Sequence, residues 1–229
     1  MHLFDKKIRL LLAAACLAWC TELASADQRQ ISSGCLYAVY KGADKEKVEP
    51  CAPGDPSNLA SDSKVRAAIK ALQLDNVPLR FNGCKSARYS AAPDTTPRHY
   101  VITYPTSAGG SHIGPITHEL AHVMQMEVAG SLEALRQNPS RKIELGADYL
   151  TGIVFVQALR DIGYNEFQHN LSLIGLYVEL DPNAHGTPSQ RTAAFRFGAN
   201  MKFDEVNRSI HRAHEEFMAD VYGQVIQNK

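Results

Sequence analysis

The segment Ile116-Thr117-His118-Glu119-Leu120-Ala121-His122-Val123-Met124-Gln125 sets two demands that the rest of the chain must meet together. Its apolar positions, Ile116, Leu120, Val123 and Met124, recur at helical spacing and predict a buried helix. On that helix His118 and His122 stand one turn apart and project from one face. Two imidazoles so placed can share one Zn²⁺ at about 2.0–2.1 Å each. Glu119 lies roughly 100° further round, close to where a metal-bound water would sit, without itself being a ligand. The pattern supplies neutral nitrogens for a borderline-soft ion and a carboxylate to accept a proton from water. A buried helix would carry the same apolar pattern with or without a metal. Two histidines are also an incomplete site, which needs a third protein ligand and keeps its fourth position for water.

A second segment, Ile143-Glu144-Leu145-Gly146-Ala147-Asp148-Tyr149, places Glu144 and Asp148 one helical turn apart. Ala147, Leu150, Ile153 and Val154 surround them with apolar neighbours, among which carboxylates need partners. The pairing resembles thermolysin-like zinc peptidases. There a second helix gives a Glu ligand, and an Asp one turn later accepts the far N–H of a zinc-bound histidine. The resemblance implies Glu144 as third metal ligand and Asp148 as the group that orients a histidine and fixes its tautomer.

Three blocks in order, HELAHVMQ, IELGADYLTGIV and HGTPSQRTAAFRFG, resemble the neutral zinc metallopeptidase family of bacteria. His118, Glu119, His122 and Gln125 match its first block. Glu144, Leu145, Ala147, Asp148 and Gly152 match its second, and His185, Gly186, Thr187, Gln190, Arg191, Phe195 and Gly198 its third. Gly146 departs from the family, which carries a larger polar residue there. The N-terminal half of the chain does not resemble it. The family implies a zinc-dependent endopeptidase in which Glu119 takes a proton from the attacking water and returns it to the leaving amine. A donor beside the metal should stabilise the oxyanion. His185 is the first candidate and Tyr149 the second. The alternative is that His185 and Thr187 only order a loop and cap a helix. Arg191 is expected as a buried partner for Asp148 or Asp181.

Residues 1–26 read as a secretory signal peptide. Lys6, Lys7 and Arg9 precede a short apolar run from Leu10 to Trp19, and Ala24-Ser25-Ala26 fits a cleavage site. An anchor through Cys20, or an uncleaved segment, is the alternative. Export makes a disulfide among Cys35, Cys51 and Cys84 plausible, with the pair left open. The expected location is periplasmic or secreted, with no membrane span in the mature chain. Lys and Arg balance Asp and Glu at 24 each, which argues against a nucleic-acid or anionic-membrane binder.

Residues 27–229 are expected to form one domain, with a divergent part at 27–97 and a catalytic core at 98–229. The expected fold is α+β and zincin-like, mostly helical, with a small mixed sheet whose edge strand precedes the HELAH helix. That strand is Arg98 to Tyr104, rich in aromatic and β-branched residues, and a peptide substrate would add to it. Other expectations are a strand at Leu36 to Tyr40, a helix capped by Ser61 or Asp62, and a strand at Val77 to Phe81. A polar loop should follow from Gly83 to Pro97. Further helices are expected over Ser140 to Ile162, Asn165 to Leu180, Thr187 onward through a capping box, and Asp204 to Gln227. His211 and His214 read as part of a solvated face. Three functions stay open: an exported zinc peptidase, a zinc-binding envelope protein with a degenerate site, and a metal-free helical domain.

Overall fold

The computed structural model describes residues 58–84, 89–106, 113–163, 165, 167, 182–201 and 209–227, all within one unit, Ser33–Lys229. The expected signal segment, the strand at Leu36 to Tyr40, Asp181, and most of the helix expected over Asn165 to Leu180 lie outside these residues. Cys84 is the sole cysteine among them, so the pairing of Cys35, Cys51 and Cys84 also lies outside.

The architecture is mixed α and β and mostly helical. Helix α1 (Ser63–Ala71) begins at Asp62, whose carboxylate accepts from the N–H groups of Lys64 at 2.8 Å and Val65 at 3.0 Å. Three strands follow: β1 (Leu79–Cys84), β2 (Ser90–Pro93) and β3 (Tyr100–Pro105). Their order is β1-β3-β2, with β1 parallel and β2 antiparallel to β3. Burial alternates along β3, so Tyr100, Ile102 and Tyr104 enter the core.

This order corrects the strand assignment. β3, expected at the edge, is central, and both its sides are occupied by paired strands. No peptide can add to it. Among the described residues the segment that takes the edge on the antiparallel side is β2, inside what reads as a polar loop. Alanine and proline are poor strand formers, and β2 exists because β3 offers it a register, Ser90 opposite Thr103 and Ala92 opposite Val101.

Helix α2 (Ile113–Ala129) carries the HELAH residues and is buried from Ile113 to Met126. It ends at Gly130, whose φ of +82° suits glycine. Its last turn is fixed to the sheet by Glu127. One carboxylate oxygen accepts from the Tyr100 hydroxyl at 2.7 Å and the other from the Arg98 guanidinium. The short helix α3 (Leu132–Leu135) is capped by Ser131 and leads into α4 (Ser140–Ala158).

Helices α5 (Pro182–His185) and α6 (Pro188–Ala199) come next. The expected capping box is present: Thr187 Oγ1 accepts from Gln190 N at 3.2 Å, and Gln190 Oε1 from Thr187 N at 3.0 Å. Helix α6 crosses α4 at backbone contact. A Cβ on Gly152 would lie 2.1 Å from the Phe195 carbonyl oxygen, and one on Gly198 would lie 1.9 Å from that of Tyr149. Phe155, Phe167 and Phe195 pack together beside the crossing.

The last helical segment begins at the Ser209 cap as α7 (Ile210–Glu216), widens into a π turn (Phe217–Val221) and continues as α8 (Tyr222–Ile226). His214 is buried there, not solvated as expected; His211 is exposed. Among the described residues no helix is long and apolar enough to cross a membrane.

Candidate metal centre

Two helices build the centre. α2 contributes His118, Glu119, His122 and Gln125, and α4 contributes Glu144 and Asp148. All six are at most 2 % exposed. Glu144 Oε2 lies 3.3 Å from His118 Nε2 and 3.6 Å from His122 Nε2. One atom from each of the three residues lies within 4.8 Å of the other two. Ligands held at about 2.0–2.1 Å in a tetrahedron stand about 3.3–3.4 Å apart. Glu144 therefore already stands near a zinc ligand's separation from each imidazole.

Proton accounting points the same way. Asp148 receives two short bonds from Arg191 on α6, Nε to Oδ2 at 2.6 Å and Nη2 to Oδ1 at 2.7 Å. Burial opposes ionisation of Asp148, but the Arg191 charge and these bonds, joined by His118, hold its carboxyl below the usual range. A carboxylate can only accept, and Asp148 Oδ1 lies 3.0 Å from His118 Nδ1. The proton of neutral His118 belongs on Nδ1, and its lone pair on Nε2.

His122 reaches the same state through an amide. Its Nδ1 lies 2.8 Å from Gln125 Oε1, and Gln125 Nε2 donates to the Ile143 carbonyl at 2.9 Å. Three acceptors, His118 Nε2, His122 Nε2 and Glu144 Oε2, thus face one another in a dry space. His122 Nε2 is buried with no hydrogen-bond partner. Such a cluster requires a cation or a proton.

Without a metal the proton is the remaining option. Burial lowers the His118 pKa, yet the Asp148 bond and charge and the Glu144 bond outweigh it and raise the value to about 9. Burial likewise opposes ionisation of Glu144, while in the protonated site the charges of His122 and His185, with the bond from His118, hold it well below the carboxylate range. Proton and divalent ion would compete for the same imidazole nitrogen. The donor set, two imidazoles and a carboxylate, suits zinc.

The remaining expected residues separate. Glu119 is fully buried on α2 between the two histidines in sequence. His185 closes α5, is 6 % exposed, and acts on Glu144 through its charge. Gly186 behind it has φ of +84°, which turns the chain toward the Thr187 cap. Arg191 pairs with Asp148, one of its two expected partners. Tyr149 leaves the list of oxyanion donors. Its hydroxyl meets Met201 Sδ at 3.0 Å and its ring packs against Phe217 at 5.0 Å between centroids. Sequence reading matched Gln125 to a motif but gave it no task. The signal was its position, one turn beyond His122 on the same helix.

No protein-family model matches the chain, and no curated protein or solved structure does either.

Proposed function

We propose that the chain is an exported zinc-dependent metallopeptidase of zincin type, related to the neutral zinc metallopeptidase family of bacteria. The observation that carries this reading is the buried convergence of His118, His122 and Glu144, with Glu144 Oε2 3.3 Å and 3.6 Å from the two Nε2 atoms and each group prepared as a lone-pair donor. His118, His122 and Glu144 would hold the ion. Bound there, zinc would supply Lewis-acid polarisation of a carbonyl and a more acidic water. Glu119 takes the proton of the attacking water and delivers it to the leaving amine. Asp148, itself fixed by Arg191, keeps His118 oriented. His185 stands on the Glu144 side and is the candidate donor to the developing oxyanion. The substrate is a peptide or protein, and with β3 central, strand addition falls to an edge strand.

One observation favours a second reading. Glu119, His118 and His122 are each 0 % exposed, so a peptide cannot touch them as they stand. A zinc-binding envelope protein whose site no longer hydrolyses fits that burial without any opening motion.

Elemental analysis and a peptide-library digest separate the two. For a peptidase, Glu119→Gln retains one equivalent of zinc and loses cleavage, and His122→Ala loses the zinc. One zinc per chain with no cleavage by the wild type selects the second reading. A chain that takes up no zinc defeats both.

A further inference from the structure

Gln125 is buried at 0 % exposure and joins two elements of the centre through a single amide. We propose that Gln125 is the positioning residue that makes His122 a metal ligand, by holding its Nδ1 protonated and pinning α2 to the backbone of α4 one residue before Glu144. The inference rests on the metal reading above.

The orientation of the amide follows from chemistry. The Ile143 carbonyl can only accept, so the group 2.9 Å from it is the amide nitrogen. The amide oxygen must then face His122 Nδ1 at 2.8 Å, and only an N–H satisfies it. A neutral imidazole protonated at Nδ1 carries its lone pair at Nε2, the atom 3.6 Å from Glu144 Oε2. Asp148 imposes the same tautomer on His118 by charge. Gln125 imposes it on His122 by orientation alone, and adds no charge to a pocket that already holds Glu144.

Gly146 supplies the room. A Cβ at this position would lie 2.8 Å from Gln125 Nε2 and 3.3 Å from the Phe217 ring. A side chain at 146 would press on the amide as it stands in this structure.

Four purified proteins test this: wild type, Gln125→Leu, Gln125→Glu and Gly146→Ala. Zinc affinity is read by chelator competition. The His122 tautomer is read from ¹⁵N–¹H spectra of the imidazoles in the zinc-free protein. Gln125→Leu should weaken zinc about 10–100-fold and leave His122 a mixture of tautomers. Gln125→Glu keeps an acceptor for Nδ1, so it should keep the tautomer and stay within about tenfold of wild type. Gly146→Ala should lose affinity as the leucine variant does, and some stability with it, since its methyl group meets the Gln125 amide and the Phe217 ring in a packed core. A merely structural role would lower stability and leave the His122 tautomer unchanged. Wild-type affinity and an unchanged His122 tautomer in Gln125→Leu overturn the inference and leave the metal reading intact. Equal loss in both Gln125 variants overturns the tautomer role. Where the leucine variant fails to fold, the other two decide. A wild type that binds no zinc defeats the metal reading instead, and the zinc-free tautomer still tests Gln125.

Discussion

Asp148 shows how far a single residue can be read from spacing. One turn beyond Glu144, it lies about 40° round the helix from it and so shares the face that meets His118. Tyr149 is about 140° from Glu144 by the same count and faces the Phe217 side, so its candidacy fails on spacing as well as on contacts. What spacing cannot supply is the partner from elsewhere. Arg191 was open between two carboxylates until the α4–α6 crossing brought it onto Asp148. Asp148→Asn leaves Arg191 buried without its counter-charge and should cost about 3–5 kcal/mol, with zinc affinity down about 10–100-fold. In Asp148→Asn/Arg191→Met the uncompensated charge is gone, so most of the stability returns and the zinc affinity does not. Urea unfolding and chelator competition on the two variants check both halves, and recovery of both together would show that Asp148 serves only to neutralise Arg191.

Elements were legible where their signals are local, as at the capping box of α6 and the Gly130 stop of α2. They were hidden where pairing makes them. β2 has almost no propensity of its own, and β3 has the same alternation whether central or at an edge. His214 was misread because its charged neighbours outweighed its place in the stripe Ile210, Ala213, His214, Phe217. Two tests belong at this scale. Gly198→Ala drives a methyl group into the Tyr149 carbonyl and should cost about 2 kcal/mol or more, seen as a lower urea midpoint. Zinc affinity should fall with it, because Arg191 rides on α6. The second concerns α7. Burial, and then the His211 charge, lower the His214 pKa from 6.5 to about 4. Folded His214 stays neutral in this window while the unfolded chain gains a proton. Stability is therefore whole above pH 6.5 and falls as pH drops toward 4, by up to about 1.4 kcal/mol per pH unit. His118, raised to about 9, acts above this window, because its contribution is full below 6.5 and lost through 9. Chelated His214→Leu should show a flatter profile between pH 4 and 6.5 than chelated wild type, and parallel profiles would remove His214 from the account.

For the molecule as a whole, the centre is a conflict that the fold holds in place. Burying three facing acceptors costs free energy, and hydrophobic burial in α2, α4 and α6 sustains it. That conflict was half visible in the chain: the motif named the donors, but only the packed helices bury them and call for a cation or a proton. Stability and metal occupancy should be linked for that reason. Zinc would bind the folded donor set and have little affinity for an unfolded chain whose ligands are scattered between 118 and 144. At a free concentration 1,000 times its dissociation constant it adds about 4 kcal/mol, which for a chain of this length is about 8–16 °C in melting temperature. The expected result is a melting temperature that climbs with the logarithm of free zinc and drops to a floor in chelator. The rise should vanish in His122→Ala, whose chelated melting temperature should lie below that of chelated wild type, because a cavity and an orphaned Gln125 oxygen replace the imidazole. Identical melting of wild type with zinc and with chelator would leave a helical domain that needs no metal, with His118 protonated to settle the charge of Glu144.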